Sequence, residues 1–390
     1  MKPRRQHCPG AERISPLGSV RSLARLLARF SAISLPGNRL RMSLGAISSS
    51  LLIAMPSIAS AHEVYVLTQG QIRQAIGAPS FSLVGEAMGH IGEFAFWAFI
   101  GALVVGGVFW ISILRFLERR FDPMLVRARR YATLIARITI GISFVASAWY
   151  QATYGPELPL VSNFGPWSGA LTLALAAIGV LTIVGLYART AALVGLAIFG
   201  AAVWQHGSYM LTYANYLGEM IVLLILGAHE YSLDSLLARR SGRRGMGAPA
   251  WLASMKGYLA PRSFAILRVL FGVALIYASY YAKILHNNLA LFTVDQYHLD
   301  KILGFEPHFL VLGAAIVELL IGTFFILGIE IRFTALFFLF WLTLSLIFFG
   351  EAVWPHLILI GIPIAYLFYG YDDYSLEGWF FRKKKYEPVL

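Results

Sequence analysis

Nine runs of apolar residues, near 90–114, 131–150, 168–187, 190–205, 211–228, 264–284, 309–329, 333–350 and 354–370, constrain this chain more than any other feature. A hydrocarbon core of ~30 Å needs about twenty helical residues at ~1.5 Å each, and most of the runs reach that length. The fourth and ninth are short, and Pro363 is expected to bend the ninth. No backbone donor can go unpaired in lipid, so the runs must be helices; the alternating pattern of a β-barrel is absent. With 58% hydrophobic and 13% charged residues, against roughly 45–50% and 25% in soluble domains, the composition excludes a soluble single domain. It also excludes disorder, because a chain this apolar cannot stay solvated. The lone cysteine, Cys8, rules out disulfide frameworks, cysteine zinc sites and thiolate-held iron–sulfur clusters.

Residues 1–42 carry nine Lys or Arg and one acid, Glu12, and are followed by a modestly apolar run at 44–55 and by Ala59-Ser60-Ala61. Basic, apolar, then small-x-small is the order of a signal peptide, here with a long n-region, and it predicts a mature chain beginning at His62. With His62 outside, the odd-numbered spans run inward. The segments thereby assigned to the cytoplasm hold 18 Lys or Arg, whereas the outer ones hold three, Arg73, Lys283 and Lys301. Cationic loops resist translocation, so this asymmetry predicts a bacterial-type inner-membrane protein with its N-terminus outside and its C-terminus cytoplasmic. The basic clusters at 127–130, 239–244 and 382–385 then read as topology signals and not as nucleic-acid contacts.

The chain also repeats itself. Gly179-x5-Gly185-x3-Arg189 recurs as Gly322-x5-Gly328-x3-Arg332, and Tyr231-Ser-Leu-Asp234 recurs as Tyr374-Ser-Leu-Glu377, both shifted by 143 residues. Arg137-x3-Gly141 recurs as Arg268-x3-Gly272 at a shift of 131, which leaves extra residues in an outer loop near 285–308 of the second copy. Each copy supplies four spans running in the same direction. The predicted fold is therefore an all-α integral membrane protein with two tandem four-helix transmembrane bundles and one preceding transmembrane helix. Its expected divisions are a signal peptide at 1–61, a short periplasmic cap at 62–89, and a first span with its basic loop at 90–130. The first four-helix unit comes next at 131–235, then a linker at 236–263, the second unit at 264–377 and a basic tail at 378–390. The repeated glycines read as close-packing positions between helices, and Arg189 and Arg332 as side chains pinned at cytoplasmic headgroups.

An Arg-x3-Gly span opening, Lys283 at the outer end of that span, Glu318-x3-Gly322-x5-Gly328-x3-Arg332 and a closing Tyr-Ser-Leu-acid resemble the DoxX-like family of four-helix membrane proteins. The likeness is clearest in the second copy; the first has Leu175 where the second has Glu318, and Ala152 where it has Lys283. The family is similar to subunits of thiosulfate:quinone oxidoreductase and of other membrane redox complexes. The resemblance thus implies quinone proximity, a periplasmic or membrane redox partner, and, if the chain is enzymatic at all, a quinone-linked oxidoreductase subunit.

Several polar groups call for an explanation of their own. A carboxylate at mid-membrane costs a few kcal/mol, so Glu318 must be paired, protonated or facing water. Glu318 and Lys283 are the candidates for catalysis, although a direct pair would need Lys283 to reach inward from its helix end. Asn215 and Glu219, one turn apart on one face of the fifth span, form a buried polar pair; with Arg268 they are the candidates for holding a cofactor. Arg137 and Arg268 otherwise read as snorkelling to headgroups. Seven histidines map to the outer half: His62, His90, His206, His286, His298, His308 and His356. Of these, His62, with its ring and a free α-amine, is a candidate copper ligand, and His286, His298 and His308 on the enlarged loop are candidate metal ligands. Walker, nucleophile-elbow and zinc-protease motifs are absent. Two functions stand side by side: an accessory or quinone-interacting subunit of a membrane redox complex, and a transporter or copper-handling protein of the outer face.

Overall fold

The computed structural model describes residues 67–228, 231–241, 257–350 and 354–379. The predicted signal segment, His62 and most of the predicted linker and tail lie outside the described residues. Among those described the chain is helical, with one isolated bridge between Ala152 and Pro159. Seven helical stretches are long and apolar enough to cross a membrane: Phe94–Leu117, Arg129–Trp149, Leu160–Val184, Ala188–Leu226, Gly257–Leu285, Pro307–Leu327 and Ile331–Phe349. The chain is a multi-pass membrane protein of all-α class.

In chain order the helices are α1 Gln69–Gly77, α2 Leu83–His90, α3 Phe94–Ala128, α4 Ala132–Trp149, α5 Leu160–Phe164, α6 Ser168–Val184, α7 Ala188–His206 and α8 Ala214–Leu226. Then come α9 Leu233–Ser241, α10 Ser263–Ser279, α11 Asn288–Gln296, α12 Leu299–Leu303, α13 Pro307–Leu327, α14 Ile331–Phe349 and α15 His356–Tyr369. Two of the nine apolar runs thus fall within one long stretch, Ala188–Leu226, and the last forms the shorter α15, with Pro363 inside it. The long stretch is not one rod. Gly207 (φ 57°, ψ −133°) ends α7, a 3₁₀ turn covers Gly207–Tyr213, and α8 folds back against α7.

Close backbone packing sets the arrangement, in keeping with the glycine spacing. A Cβ on Gly141 of α4 would lie 3.0 Å from the Gly179 carbonyl oxygen of α6, and one on Gly272 of α10 would lie 2.6 Å from the Gly322 carbonyl oxygen of α13. Two further contacts at the 143-residue shift join the halves. Gly218 of α8 meets Leu267 and Leu270 on α10, and Gly361 of α15 meets Thr139 on α4. The core is continuous through this seam, running from Ile140 and Phe144 through Tyr216 and Met220 to Phe271, Phe325 and Tyr366.

The most visible sequence motif builds the turns at one end of the helices. Gly185 and Gly328 adopt φ of 71° and 68°, conformations that only glycine adopts without strain. Each turn is closed by an acid from the far end of its own copy. Asp234 accepts the Tyr187 and Ala188 amides at 3.0 and 3.4 Å, and Glu377 accepts the Ile331 amide at 2.9 Å. The backbone bonds Asp234 N–H to Gly185 O and Glu377 N–H to Gly328 O, both 3.0 Å, complete the match. The Tyr-Ser-Leu-acid motif is thus an N-cap delivered across the fold.

The arginines correct the sequence reading. Arg137 and Arg268 do not snorkel: they are 2% and 1% exposed. Arg137 donates to the carbonyls of Ala228 (2.6 Å) and Tyr231 (2.9 Å). Arg268 donates to Ile326 O (2.8 Å), Tyr374 O (3.2 Å), Phe325 O and the Asp372 carboxylate, its Nε 3.2 Å from Asp372 Oδ2. Arg189 and Arg332 are half-buried and turn to the last carbonyls of α8 and α15, among them Leu224 O at 3.2 Å and Leu367 O at 3.1 Å. Helix C-termini carry orphan carbonyls and partial negative charge, and a guanidinium satisfies several at once.

Candidate functional site

Lys283 and Glu318 meet. Their Nζ–Oε2 distance is 2.9 Å, with the lysine side chain 5% and the carboxylate side chain 21% exposed. The reach that the sequence left in doubt is supplied by the backbone: Tyr280–Leu285 continues α10 as a π-helical turn. A π-turn inserts an extra residue per turn and so rotates the residues beyond it about the helix axis. Glu318 lies midway along α13, four residues before the tight contact at Gly322. The result is a charge pair within apolar helices whose acidic member is still partly open at the surface.

The enlarged loop sits over this half. Asn287, fully buried, holds the chain at Phe81 through both its amide groups, accepting the Phe81 N–H at 3.2 Å and donating to Phe81 O at 2.6 Å. Asn288 donates to Pro79 O at 3.0 Å, while Leu67, Ile72 and Ala75 pack with Leu289. The segment before α3 is therefore a cap on the second copy's loop, and a cavity of about 490 Å³ opens between α11 and the start of α13, lined in part by Asp295, Glu306 and His308.

The loop histidines separate. His286 lies edge-on to Tyr281, ring centroids 4.8 Å apart, and burial pushes its imidazole below the usual histidine range. His308 stacks on Phe81 at 4.3 Å with Nδ1 3.4 Å from Glu86. His298 occupies the left-handed turn before α12, at φ 51°. Among the described residues no group of three or more His, Cys, Asp or Glu side chains could hold a metal ion. Arg268, a candidate for cofactor binding, uses its donors on Asp372 and the carbonyls named above.

Asn215 and Glu219 are buried on one face of α8, 3% and 0% exposed, where α8 meets α4, α10 and α15. Two arrangements escaped the sequence reading. His90 contacts Glu93 (2.9 Å), Glu86 (3.8 Å) and Glu306 (4.0 Å), linking α2 to the start of α13. The Glu86-x3-His90-x2-Glu93 spacing was a usable signal for part of it; the remaining acid, Glu306, comes from 216 positions further along the chain. Glu157 accepts the phenols of Tyr209 (3.2 Å) and Tyr213, a loop contact that no spacing foretells.

Comparison with known proteins finds no matching family model, no matching curated sequence and no matching solved structure.

Proposed function

We propose that this multi-pass protein is of DoxX-like type, built from a tandem duplication of a four-helix unit. In this reading it is a quinone-interacting subunit of a bacterial inner-membrane redox complex, its N-terminus outside and its C-terminus cytoplasmic. One observation carries the proposal: the Lys283–Glu318 ion pair lies among apolar helices with Glu318 one-fifth exposed. A quinone headgroup reaching that edge from the lipid would find an ammonium to donate to its carbonyl oxygen. A quinol would find a carboxylate to accept its hydroxyl. The contacts repeated at the 143-residue shift support the duplication, and the skew of basic residues supports the orientation.

The test is purification in mild detergent with quantification of co-purifying quinone, followed by titration with a short-chain quinone. Wild-type protein is expected to bind it and Glu318→Gln and Lys283→Met to lose it while keeping their helical content. Wild-type protein that neither carries nor binds quinone ends the proposal. The transporter reading draws on a different observation, the buried carboxyl of Glu219 at the junction of the two halves.

A further inference from the structure

Glu219 is the most isolated acid among the described residues. It is 0% exposed, and Oε2 has no hydrogen-bond partner. Oε1 lies 3.5 Å from the Thr139 hydroxyl, but that hydroxyl has nearer acceptors in Ile135 O (3.0 Å) and Ala136 O (3.1 Å). Among the described residues no Lys, Arg or His pairs with it. The titratable groups facing it from the packed helices are the phenols of Tyr216 on α8 and Tyr366 on α15, and neither brings positive charge. A bare carboxylate here would be an uncompensated buried charge, so this position demands a proton or a cation.

A small cavity lies one turn away, at Asn215. Asn215, Thr212 and His356 line a cavity of about 30 Å³ between the halves. That is room for about two or three waters, given that each needs roughly 10–15 Å³. Asn215 Oδ1 and Thr212 Oγ1 are buried there with no protein partner. Helical side chains lean toward the helix N-terminus, which tips Glu219 toward Asn215 and the cavity. On the far side a run of buried polar groups continues toward the end where α4 stops: Ser143 donates to Trp354 O at 3.4 Å, and Trp354 Nε1 donates to Ser147 at 3.1 Å.

We propose that this seam is a proton-binding site in which water held between Asn215 and His356 loads and unloads the Glu219 carboxyl. The step is a simple transfer: an O–H bond forms on a carboxylate oxygen as one breaks on the adjacent hydronium, and no electrons move. A cation is the poorer occupant, since the Thr139 hydroxyl stands 3.5 Å from the carboxylate and is already turned to the nearer carbonyls of Ile135 and Ala136. The site belongs to the junction of the two halves, because its first-copy residues are closed off by His356, Pro355 and Leu359 at α15 and by Ala274 and Ala278 of α10. It does not depend on what Lys283 and Glu318 bind.

The full-length protein in lipid nanodiscs is studied by infrared difference spectroscopy. The expected spectrum has the carbonyl stretch of a buried protonated carboxyl, which Glu219→Gln removes. On transfer to heavy water the band shifts within minutes, and Asn215→Leu, which fills the cavity, slows that shift by about tenfold, as a barrier raised by roughly 1.4 kcal/mol would. Should Glu219→Gln fail to insert, Glu219→Asp is expected to move the band instead of removing it. The proposal is overturned if no band responds to either variant, if Asn215→Leu leaves deuteration unslowed, or if exchanging potassium for sodium bleaches the band, which would assign the carboxylate to sodium.

Discussion

The Lys283–Glu318 contact makes a sharp prediction about stability. At 2.9 Å the pair's Coulomb energy is about 6 kcal/mol at an effective dielectric of ~20. Most of that is offset by the desolvation of the two ions, so the intact pair is worth little against an apolar replacement. Removing one partner is another matter. Glu318→Gln preserves a hydrogen-bond acceptor but takes the opposite charge away from an ammonium that is 5% exposed, a loss of about 3–5 kcal/mol. Discharging an ordinary lysine at neutral pH costs about 4–5 kcal/mol and caps the loss in the same range. Lys283→Met strands instead a carboxylate that is 21% exposed and can be hydrated or protonated, so it should cost less, about 2 kcal/mol. The double variant Lys283→Met, Glu318→Gln leaves no charge at the site and should lose only about 2 kcal/mol, less than the two single losses together. Reversible unfolding in mixed detergent, run as a double-mutant cycle, measures the coupling, expected at about 2 kcal/mol or more. Hydrogen bonds between membrane helices average only about 0.6 kcal/mol in such cycles, so a coupling at or below that value would show that no buried charge pair exists.

Other outcomes rest on the packing around the glycines, the cap and the loops. Gly272→Ala and Gly322→Ala each push a Cβ to 2.6 or 2.9 Å from a facing carbonyl oxygen, and each should lower stability in the same unfolding assay by about 1–3 kcal/mol. Glu377→Ala removes both the cap on the Ile331 amide and the contact with Arg115, and should cost about 1–2 kcal/mol by thermal melting; a loss near zero would deny the cap its role. Alkaline phosphatase fused within the loop 151–159 should be active and fused after residue 390 inactive, the reverse result overturning the proposed orientation. Burial lowers the His286 imidazole, so its neutral form favours the fold. That contribution is present above about pH 6.5 and fades as pH falls through the depressed native value, so wild type should lose melting temperature toward acid slightly faster than His286→Phe.

Hydropathy alone determined the membrane class and the positions of the apolar helices, because bilayer thickness and the demand for paired backbone groups leave a chain few choices. The 143-residue repeat also marked Gly185, Gly328 and the Tyr-Ser-Leu-acid segments in advance, since glycine takes a left-handed turn at the least cost. Their purpose was not legible. Asp234 caps a helix that begins 46 residues earlier, and Arg268 finds its carboxylate 104 residues on, at Asp372. A basic residue near a helix end looks the same in sequence whether it points to headgroups or inward to carbonyls. Only the fold distinguishes them, by whether other helix ends crowd that place. For Lys283 and Glu318 the residue types were evident but their meeting was not, because it turns on one π-helical turn that no local pattern announces. Glu219 and Asn215 were evident as a helical face, yet the cavity beside them is closed by side chains from the other copy. Spacing along one helix decides which groups face the same way; what they face is decided by packing between segments distant in the chain, and it is there that the chemistry of this protein is set.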